Sequence, residues 1–505
     1  MEKKRVMWFL IAIFLISLGI RLYFAFQTPF FDNDQSYFNL RQIQTIMETG
    51  FPAYDDGLSF GGRYLIFLPL FHYILAAFSL IFSLDLVAKI LPNLFASSII
   101  FIVYLIVQQV TKNKEIALLC SFVSAFIPIY FLNTMNAVTV NSLSLPLSFL
   151  ILYLFPRVKE GKLLYLFIIV FILSLLSSAI TIIVVLSLVV YYFLTKIEKV
   201  NLEREEIEVT VFSLLLMLWF YFLVFKRALL AHGLGFIWQN IPTEIISRYF
   251  YQISIPQVIY HVGLLPILGA VFVAYVFLFK SKSKQIYLYL SFTITVLILL
   301  WIKLLKFDTG LLYLSIGCVI LFGIACKQIL NYFEKTHLQG YKKLVLVGIF
   351  FLVLLTLTFP TLFLALNQEK VEVDLGALGF LEDVSGNVDE GIGVSGNDVD
   401  RIVILASPVD GHIITYYTGK ETIVDSNFLL IPDIAERITD VRTIFVGQSK
   451  VIATKLMEKY GADYIYLSPG ALETYEIDNL PYGDEECFPL VYTGQVKIYE
   501  KRCSS

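Results

Sequence analysis

The sequence predicts a multi-pass α-helical membrane domain followed by an external α/β domain. Of its 505 residues 58% are apolar and only 16% are charged, which is more apolar surface than a water-soluble protein of this size can bury. Residues 368–505 carry 24 acidic and 11 basic side chains, whereas residues 1–367 carry 17 acidic and 27 basic ones. We therefore expect a basic membrane domain over residues 1–367 and an acidic external domain over residues 368–505.

The acidic balance of the second domain bears on possible partners. The charges of residues 368–505 sum to about −13, and an acidic surface repels the phosphates of DNA and RNA. We therefore expect no nucleic-acid partner, and we expect membrane lipids to surround the first domain.

The first membrane span is Val6–Phe24, which is long enough to cross about 30 Å of hydrocarbon at a rise of about 1.5 Å per residue. The basic residues Lys3, Lys4 and Arg5 precede it, and no small-residue cleavage site follows it. The run is therefore interpreted as a retained signal-anchor in the cell membrane, with the N-terminus in the cytoplasm.

Six basic clusters separate the later apolar runs, and the positive-inside rule assigns all six to the cytoplasm. That assignment requires Tyr64–Ser83 to lie at the outer surface or to re-enter the membrane. It also requires the long run from Leu163 to Leu194 to break at Ser177-Ser178 into two helices. The count becomes about eleven spans, with a long external loop over residues 27–87 and the C-terminal domain outside.

The C-terminal region has the pattern of an α/β domain. Arg401–Ala406 and Ala462–Leu467 are typical of buried strands, and Lys450–Lys459 has helical spacing with Gly461 as a stop signal. The Gly/Asp-rich stretch at 384–400 is typical of a linker, and it lacks the ligand spacing of a calcium-binding hand.

Two cysteines of this region bracket a hairpin pattern. Cys487 and Cys503 lie symmetrically about Gly494-Gln495 in the sequence, so paired strands would bring them opposite each other. An external domain permits disulfides, and we predict that these two cysteines form one.

The first outer loop carries the strongest signal for chemistry. Asp32 and Asp34 follow the first span directly. Two carboxylates one residue apart can hold a divalent cation, Mg or Mn, or provide a general base for an incoming acceptor. The alternative is a purely structural role, either in a solvated loop or as a helix cap before Ser36.

The surroundings of this pair resemble the GT-C superfamily of membrane glycosyltransferases, and most closely the catalytic subunits of oligosaccharyltransferases. The family motif, an aspartate followed by an aromatic pair, an asparagine and an arginine, is echoed by Asp34, Tyr37, Phe38, Asn39 and Arg41. Arg63, followed by the surface helix expected at Tyr64–Ser83, matches the later part of the family's loop. The resemblance implies that Asp34 is the base or a metal ligand with Asp32 as its partner. It also implies that Arg41 and Arg63 orient the donor and bind its phosphate.

Weaker matches extend along the chain. Glu244 resembles the glutamate of the family's mobile external loop, and Lys306 stands where the family has a residue that contacts the lipid-linked phosphate. A surface position for Glu244 and a snorkelling side chain for Lys306 are the alternatives. Asp410, followed by Gly411 and His412, retains part of the motif that holds the acceptor in oligosaccharyltransferases, and a plain turn is its alternative.

Two departures from the family pattern affect the expected chemistry. The second outer loop, Asn136–Ser144, lacks both carboxylates of the family's Asp-x-Glu motif, which weakens the case for a divalent cation. The tryptophans and the tyrosine of the Trp-Trp-Asp-Tyr-Gly motif are also missing.

The resemblance implies a glycosyltransferase that moves a sugar or glycan from a polyprenyl-phosphate-type lipid carrier to an acceptor on the external face, as in protein glycosylation. The acceptor would be a protein or a glycan. A transporter or lipid flippase with an external domain is one alternative, although the sequence shows no internal repeat of the kind that many transporters have. A non-catalytic membrane scaffold is the other.

Overall fold

The structure is a computed structural model. It describes residues 3–250, 254–336, 341–368, 373–384 and 402–504, without the side chains of Glu244 and Arg248. The linker predicted at 384–400 lies outside the described residues from position 385 onwards.

Helices dominate the described chain. In chain order they are α1 Lys3–Ala25, α2 Asp34–Thr49, α3 Leu70–Ser79, α4 Leu84–Ser97, α5 Ile99–Thr111, α6 Lys114–Ala125, α7 Pro128–Met135, α8 Asn141–Leu154, α9 Gly161–Ser177, α10 Thr181–Ile197, α11 Arg204–His232, α12 Thr243–Tyr249, α13 Ile255–Val262, α14 Leu264–Phe279, α15 Lys284–Trp301, α16 Phe307–Glu334, α17 Lys342–Val353, α18 Phe359–Asn367, α19 Leu375–Asp383, α20 Gly411–Thr418, α21 Ile434–Val446, α22 Lys450–Lys459 and α23 Pro469–Tyr475. Short 3₁₀ turns lie at Phe155–Arg157 and Gly233–Trp238, and a π-helical turn lies at Leu354–Thr358.

The strands are short. They are β1 Asp55–Asp56, β2 Arg63–Tyr64, β3 Val403–Leu405, β4 Glu421–Thr422, β5 Ala462–Leu467, β6 Leu490–Thr493 and β7 Lys497–Glu500.

The chain divides into two compact units. Unit 1 consists of Met1–Pro29, Phe67–Val224 and Tyr249–Glu369. Unit 2 consists of Phe30–Ile66, Phe225–Arg248 and Lys370–Ser505. Two segments from the N-terminal part of the sequence, 30–66 and 225–248, therefore belong to the same unit as the C-terminal region.

Among the described residues, six helices are long and apolar enough to cross a membrane, or up to eight if each of two bent helix pairs counts as one span. The predicted break near Ser178 is present, because α9 ends at Ser177 and α10 begins at Thr181. The region predicted to lie at the surface holds α3, whose ten residues are too short to cross. The expected total of eleven crossings stays a prediction.

Helix α16 lies at the centre of unit 1. Of the most apolar 18 residues of α16, 94% are buried inside the protein, whereas the corresponding share for α1 is 17%. Glycines allow its neighbours to approach closely: a Cβ at Gly323 would lie 2.7 Å from the Cys120 sulfur, and one at Gly317 would lie 3.0 Å from the Thr293 hydroxyl. Small residues at helix contacts are typical of packing within membranes.

Unit 2 contains a five-stranded sheet of order β4-β3-β5-β7-β6. Strand β3 runs parallel to β4 and β5, and the β5–β7 and β7–β6 pairs are antiparallel. The two strands and the helix predicted from the sequence correspond to β3, β5 and α22. The loop between β1 and β2 extends the β4 edge, since the Thr422 N–H donates to the Leu58 carbonyl at 3.1 Å and the Phe60 N–H donates to the Thr422 carbonyl at 3.0 Å.

The C-terminal hairpin forms as its sequence pattern indicates. Strands β6 and β7 pair with Thr493 opposite Lys497. Cys487 and Cys503 are joined by a disulfide with their Cα atoms 4.7 Å apart. Among the described residues Cys120, Cys318 and Cys326 are free and buried.

Candidate functional site in unit 2

Helix α2 places the first candidate residue. The Asn33 side chain accepts the Ser36 N–H at 2.9 Å and caps the helix, so the capping role that the sequence left open for the aspartates belongs to Asn33. Gly50 ends the helix in a left-handed conformation, with φ of 81°. Asp34 is the first residue of the helix, and its carboxylate is available for other contacts.

The Asp34 carboxylate reaches the start of α20. Oδ1 accepts the Ile413 N–H at 2.9 Å, and Oδ2 lies 3.4 Å from the Ser426 hydroxyl, which donates to it. A carboxylate is favoured at this end of a helix by the unpaired N–H groups and the helix dipole. Burial nevertheless raises the pKa of Asp34 well above its ordinary value, with the charges of Asp425 and Asp410 acting in the same direction. Asp34 is therefore a stronger base than a solvated carboxylate.

Asp32 is half-buried in the turn before α2. Within the described part of the chain, no three or more His, Cys, Asp or Glu side chains are grouped so that they could hold a metal ion. A magnesium-type ion needs only one or two carboxylates when substrate phosphates and water complete its shell. Asp32 and Asp34 are the carboxylates that the sequence offers for this number, and the Asp34 Oδ1 atom already accepts the Ile413 N–H.

Arg63 is the centre of a buried charge network. Its Nη1 donates to Asp425 Oδ1 at 2.7 Å and to the Asn427 carbonyl at 2.6 Å, and its Nη2 donates to Asp56 Oδ2 at 2.8 Å and to Asp425 Oδ2. Arg41 Nη2 donates to the same Asp56 oxygen at 3.0 Å. Both predicted phosphate-binding arginines are therefore paired with carboxylates in this structure.

The two carboxylates of this network are held in their charged form. Burial alone would raise the pKa of Asp56, but the nearby charges of Arg41 and Arg63 outweigh it and lower the pKa. Burial likewise opposes ionisation of Asp425, but Arg63 holds the pKa of Asp425 well below its usual range. The side chains of Arg63 and Asp425 are 1% and 2% exposed, so the network fixes strand β2 onto the C-terminal part of unit 2.

His412 lies beside this network. Its Nδ1 is 3.6 Å from Asp425 Oδ2, and its ring lies 5.1 Å from that of Phe38. Neither ring nitrogen makes a hydrogen bond to any described residue, and the residue is 1% exposed. Burial lowers the pKa of His412 to about 4, although Asp425 opposes the shift. The imidazole is therefore neutral at pH 7 and enclosed by protein.

Asp410 precedes α20 and is half-buried. Its Oδ2 accepts the Ser468 hydroxyl at 2.7 Å. Burial raises the pKa of Asp410 to about 6, although the hydrogen bond from Ser468 opposes the shift. Asp34 and Asp410, which lie far apart in the sequence, thus come together around the first turn of α20.

Three tyrosine rings pack against one another near these carboxylates. The Tyr37 ring lies 5.6 Å from Tyr416 and 5.7 Å from Tyr417. Tyr37 is buried on α2, whereas the other two are half-buried on α20.

Two candidates from the sequence remain. Lys306 belongs to unit 1, where its ammonium lies 4.9 Å from the centre of the Tyr249 ring. Glu244 lies on α12, and its side chain is outside the described residues.

Sequence reasoning did not identify Asp56, Asp425, Ser426 or Ser468 as site residues. Asp425 follows the short strand β4, at the carboxyl end of a strand that runs parallel to β3. This is a typical place for functional side chains in α/β sheets. The strand covers two residues, Glu421–Thr422, which is too short to stand out as a sequence pattern.

No family model matches the chain, and no curated protein matches it. Solved structures do share its fold. The apo form of the Archaeoglobus fulgidus oligosaccharyltransferase has a TM-score of 0.70 at 15% identity, covering 95% of this chain and 72% of that one. Its complex with zinc and sulfate has a TM-score of 0.66 at 16% identity, and the match covers 90% of this chain and 67% of that one. The A. fulgidus oligosaccharyltransferase AglB in complex with an inhibitory peptide and a dolichol-phosphate has a TM-score of 0.66 at 15% identity. That match covers 92% of this chain and 70% of that one.

A second neighbour is ArnT from Cupriavidus metallidurans bound to undecaprenyl phosphate. Its TM-score is 0.53 at 11% identity, and the match covers 97% of both chains. Both neighbours are GT-C membrane glycosyltransferases. The likeness confirms the expected GT-C fold, with a helical membrane region and an α/β region. At these identities it shows the fold alone.

Proposed function

We propose that the protein is a membrane glycosyltransferase that transfers a sugar or glycan from a polyprenyl-phosphate-type carrier to an acceptor on the external face of the membrane. The observation that carries the proposal is Asp34: a carboxylate with a raised pKa at the motif position expected for the catalytic residue, in a chain with the GT-C fold. The complexes of the neighbours with dolichol-phosphate and undecaprenyl phosphate support a lipid carrier.

The proposed reaction is a substitution at the anomeric carbon of the donor sugar. A nucleophilic atom of the acceptor forms a bond to that carbon, the bond between the carbon and the carrier's phosphate oxygen breaks, and the phosphate leaves with its electron pair. Asp34 accepts the proton that the acceptor loses. A positioned base of suitable pKa typically contributes a hundredfold or more to such a rate.

The other candidates have supporting roles. Arg41 and Arg63 fix the first outer loop through Asp56 and Asp425 and so orient Asp34. His412, which is enclosed beside Asp425, is a positioning residue.

The remaining candidates act on the substrates. Lys306 contacts the carrier's phosphate, and Glu244 belongs to a loop that closes over the substrates. Asp410 and the tyrosines of α20 face the acceptor, which is a protein or a glycan. The peptide bound to AglB supports the first alternative.

The alternative role for Asp34 is that of a metal ligand: with Asp32 it would hold a divalent cation, Mg or Mn, which would neutralise charge on the departing phosphate. The zinc and sulfate complex of the A. fulgidus enzyme supports a divalent cation.

The proposed topology has about eleven spans, a cytoplasmic N-terminus and an external C-terminal domain. Residues 1–367 would form the membrane domain, with its external loop over 27–87, and residues 368–505 the external domain. The positive-inside distribution of basic residues supports this arrangement.

The direct test incubates membranes that contain the full chain with a radiolabelled lipid-linked sugar and a mixture of protein and glycan acceptors. We expect label to move from the lipid to a water-soluble or protein product. Movement of the intact labelled lipid between leaflets, without transfer, would indicate a flippase. If label neither moves nor is transferred, the scaffold alternative is favoured.

A further inference from the structure

The first helix of unit 1 turns two polar side chains towards its neighbours. Its exposed side carries apolar residues such as Leu15 and Tyr23, whereas Ser17 and Arg21 are both 0% exposed. Because these two are four positions apart, they lie one above the other on the same face of α1. Helix α1 packs against α4, α6 and α7. The polar side chains therefore point into the helix bundle and away from the side that would meet lipid.

The Arg21 guanidinium is held by neutral groups. Its Nη1 donates to the Thr134 hydroxyl at 2.8 Å, and that hydroxyl donates to the Tyr130 carbonyl at 2.6 Å. The guanidinium carbon lies 5.3 Å from the centre of the Tyr130 ring and 4.8 Å from that of the Phe131 ring. None of these partners is an anion, so they orient the positive charge of Arg21 without compensating it.

Several buried donors at this place have no acceptor. Nε and Nη2 of Arg21 are buried and donate to no described residue, and they lie side by side on one edge of the planar guanidinium. The Ser17 hydroxyl, one turn earlier in α1, is likewise buried without a hydrogen bond to any described residue. A third such hydroxyl belongs to Ser97 on α4. It follows Ala96, whose carbonyl accepts the Tyr130 hydroxyl at 2.8 Å.

This combination of charge and unpaired donors fits an anion better than water. A buried positive charge inside a membrane unit is costly unless an opposite charge lies beside it. The two aromatic rings offset part of that cost, but they supply no lone pair for the unpaired N–H groups. A water molecule would accept those hydrogen bonds and leave the charge uncompensated. An anion accepts them and compensates the charge.

The burial of Arg21 limits which anion can bind. The side chain is enclosed by protein and faces away from the exposed side of α1, so the headgroup of a lipid on that side does not meet it. One guanidinium supplies one positive charge, and the surrounding hydroxyls are neutral, so a monovalent anion is balanced there. Chloride is small, monovalent and able to accept hydrogen bonds from several donors at once.

We propose that Arg21 and Ser17 form a binding site for a chloride ion inside unit 1, with the Nε and Nη2 edge of Arg21 and the Ser17 hydroxyl as donors. Ser97 brings a further hydroxyl from α4. The bound ion compensates the charge of Arg21 and fixes α1 to the helices that it packs against. The inference is independent of the proposed sugar transfer, because it concerns the stability of unit 1.

The first experiment measures the unfolding temperature of the purified full chain in detergent, in sodium chloride, sodium bromide or sodium gluconate at equal ionic strength. A ligand that binds only the folded state raises the unfolding temperature, and gluconate is too large for the site. We expect a rise of about 2 °C or more when chloride replaces gluconate, and bromide should act like chloride. Equal unfolding temperatures in chloride and gluconate would overturn the proposal.

Variants assign the effect to the named residues. Arg21→Met removes the charge at similar volume and should abolish the difference between chloride and gluconate, whatever its own stability. Arg157→Met is the matched control, because Arg157 also lies over an aromatic ring, at 4.5 Å from Tyr153, and it should keep the difference. An Arg21→Met protein that keeps it too would refute the site.

If Arg21→Met fails to fold, the serine variants still decide the question. Ser17→Ala removes one donor and should require roughly tenfold more chloride for the same rise in unfolding temperature. Ser213→Ala removes another buried hydroxyl without a described partner and should respond to chloride like the wild type. Identical chloride dependence of the two serine variants would contradict the assignment of Ser17.

Bromide locates the ion directly. Crystals of the full chain grown in bromide should show an anomalous peak within hydrogen-bond distance of Arg21 Nε and Nη2. A water molecule at this position without an anomalous peak would overturn the proposal, and so would bromide found at the protein surface alone. The phosphate of a co-purified lipid beside Arg21 would identify a headgroup site and overturn it as well.

Discussion

The Arg63 guanidinium donates to both carboxylate oxygens of Asp425, although 362 positions separate the two residues in the sequence. The contact joins strand β2 to the segment after β4. It also leaves the charges of Arg63 and Asp425 compensated inside unit 2, with Asp56 as a second partner.

Removing Arg63 should destabilise unit 2 severely. Arg63→Met leaves two carboxylates that are 4% and 2% exposed without their main cation, and breaking a buried pair in this way costs about 3–5 kcal/mol. We expect a clear fall in the unfolding temperature of the full chain in detergent. Arg204→Met removes an arginine from an exposed pair with Glu208 and should have no measurable effect. Equal unfolding temperatures for Arg63→Met and wild type would contradict the assigned network.

The local pattern of the sequence was enough to predict several elements. Helix α22 has the predicted bounds, because Ser449 accepts the Ile452 N–H at its start and Gly461 follows its end with φ of 57°. The disulfide hairpin and the break near Ser178 follow from equally local patterns.

The contacts of the site are not local. Asp34 meets Ile413 across 379 positions, and no periodicity or spacing reports such a pairing. A motif could therefore indicate Asp34 as a candidate, but not that α20 would lie against it. The pairing of Arg63 with Asp425 was missed for the same reason, since Asp425 stands outside any pattern. The pairing of Arg41 with Asp56 is closer in the sequence, but it lies in a loop without regular spacing.

The stability of unit 2 should depend on pH through Asp410. Its pKa of about 6 in the folded protein exceeds the ordinary value of about 4, so the folded state binds the proton more tightly. Asp410 therefore lowers stability as pH rises from about 4 to about 6. We expect Asp410→Asn to gain stability relative to wild type over this interval, by roughly 3 kcal/mol at most. Unfolding temperatures measured from pH 4.5 to 7 test this.

His412 should make the stability of unit 2 depend on pH in the opposite direction. Its pKa of about 4 in the folded protein lies below the ordinary value of about 6.5, so stability due to the neutral imidazole is present above pH 6.5 and lost as pH falls towards 4. In the same measurements His412→Gln should lose this dependence. Parallel pH profiles for wild type, Asp410→Asn and His412→Gln would show that neither group is enclosed as the structure describes.

The Cys487–Cys503 disulfide should stabilise the C-terminal hairpin. It closes a loop with a sequence separation of 16, which is worth about 3 kcal/mol in the chain-entropy model. Protein purified without reductant should therefore have three reactive thiols out of five after denaturation, and Cys503→Ser should lower the unfolding temperature. Five reactive thiols would show that the bond does not form in the mature protein.

The topology proposal predicts which loops an impermeant thiol reagent can reach. Single cysteines introduced at Lys112, Lys159, Lys199 and Lys282 should be labelled only after the membrane is permeabilised. Cysteines at Asp55 and Asn479, which stand in proposed external segments, should be labelled in intact cells. Labelling of the Lys199 position from outside would rule out the eleven-span arrangement.

Asp34→Asn provides the most direct test of the central claim, that Asp34 serves a sugar transfer reaction. The amide keeps the shape of the side chain and an oxygen that can accept the Ile413 N–H, but it removes the base. With the purified full chain in proteoliposomes and a radiolabelled lipid-linked sugar, we expect transfer to fall at least a hundredfold, about 2.7 kcal/mol or more in the barrier. Asp55→Asn, at an exposed position of the same loop, should transfer at the wild-type rate. Transfer by Asp34→Asn at the wild-type rate, with an unchanged unfolding temperature, would contradict the account.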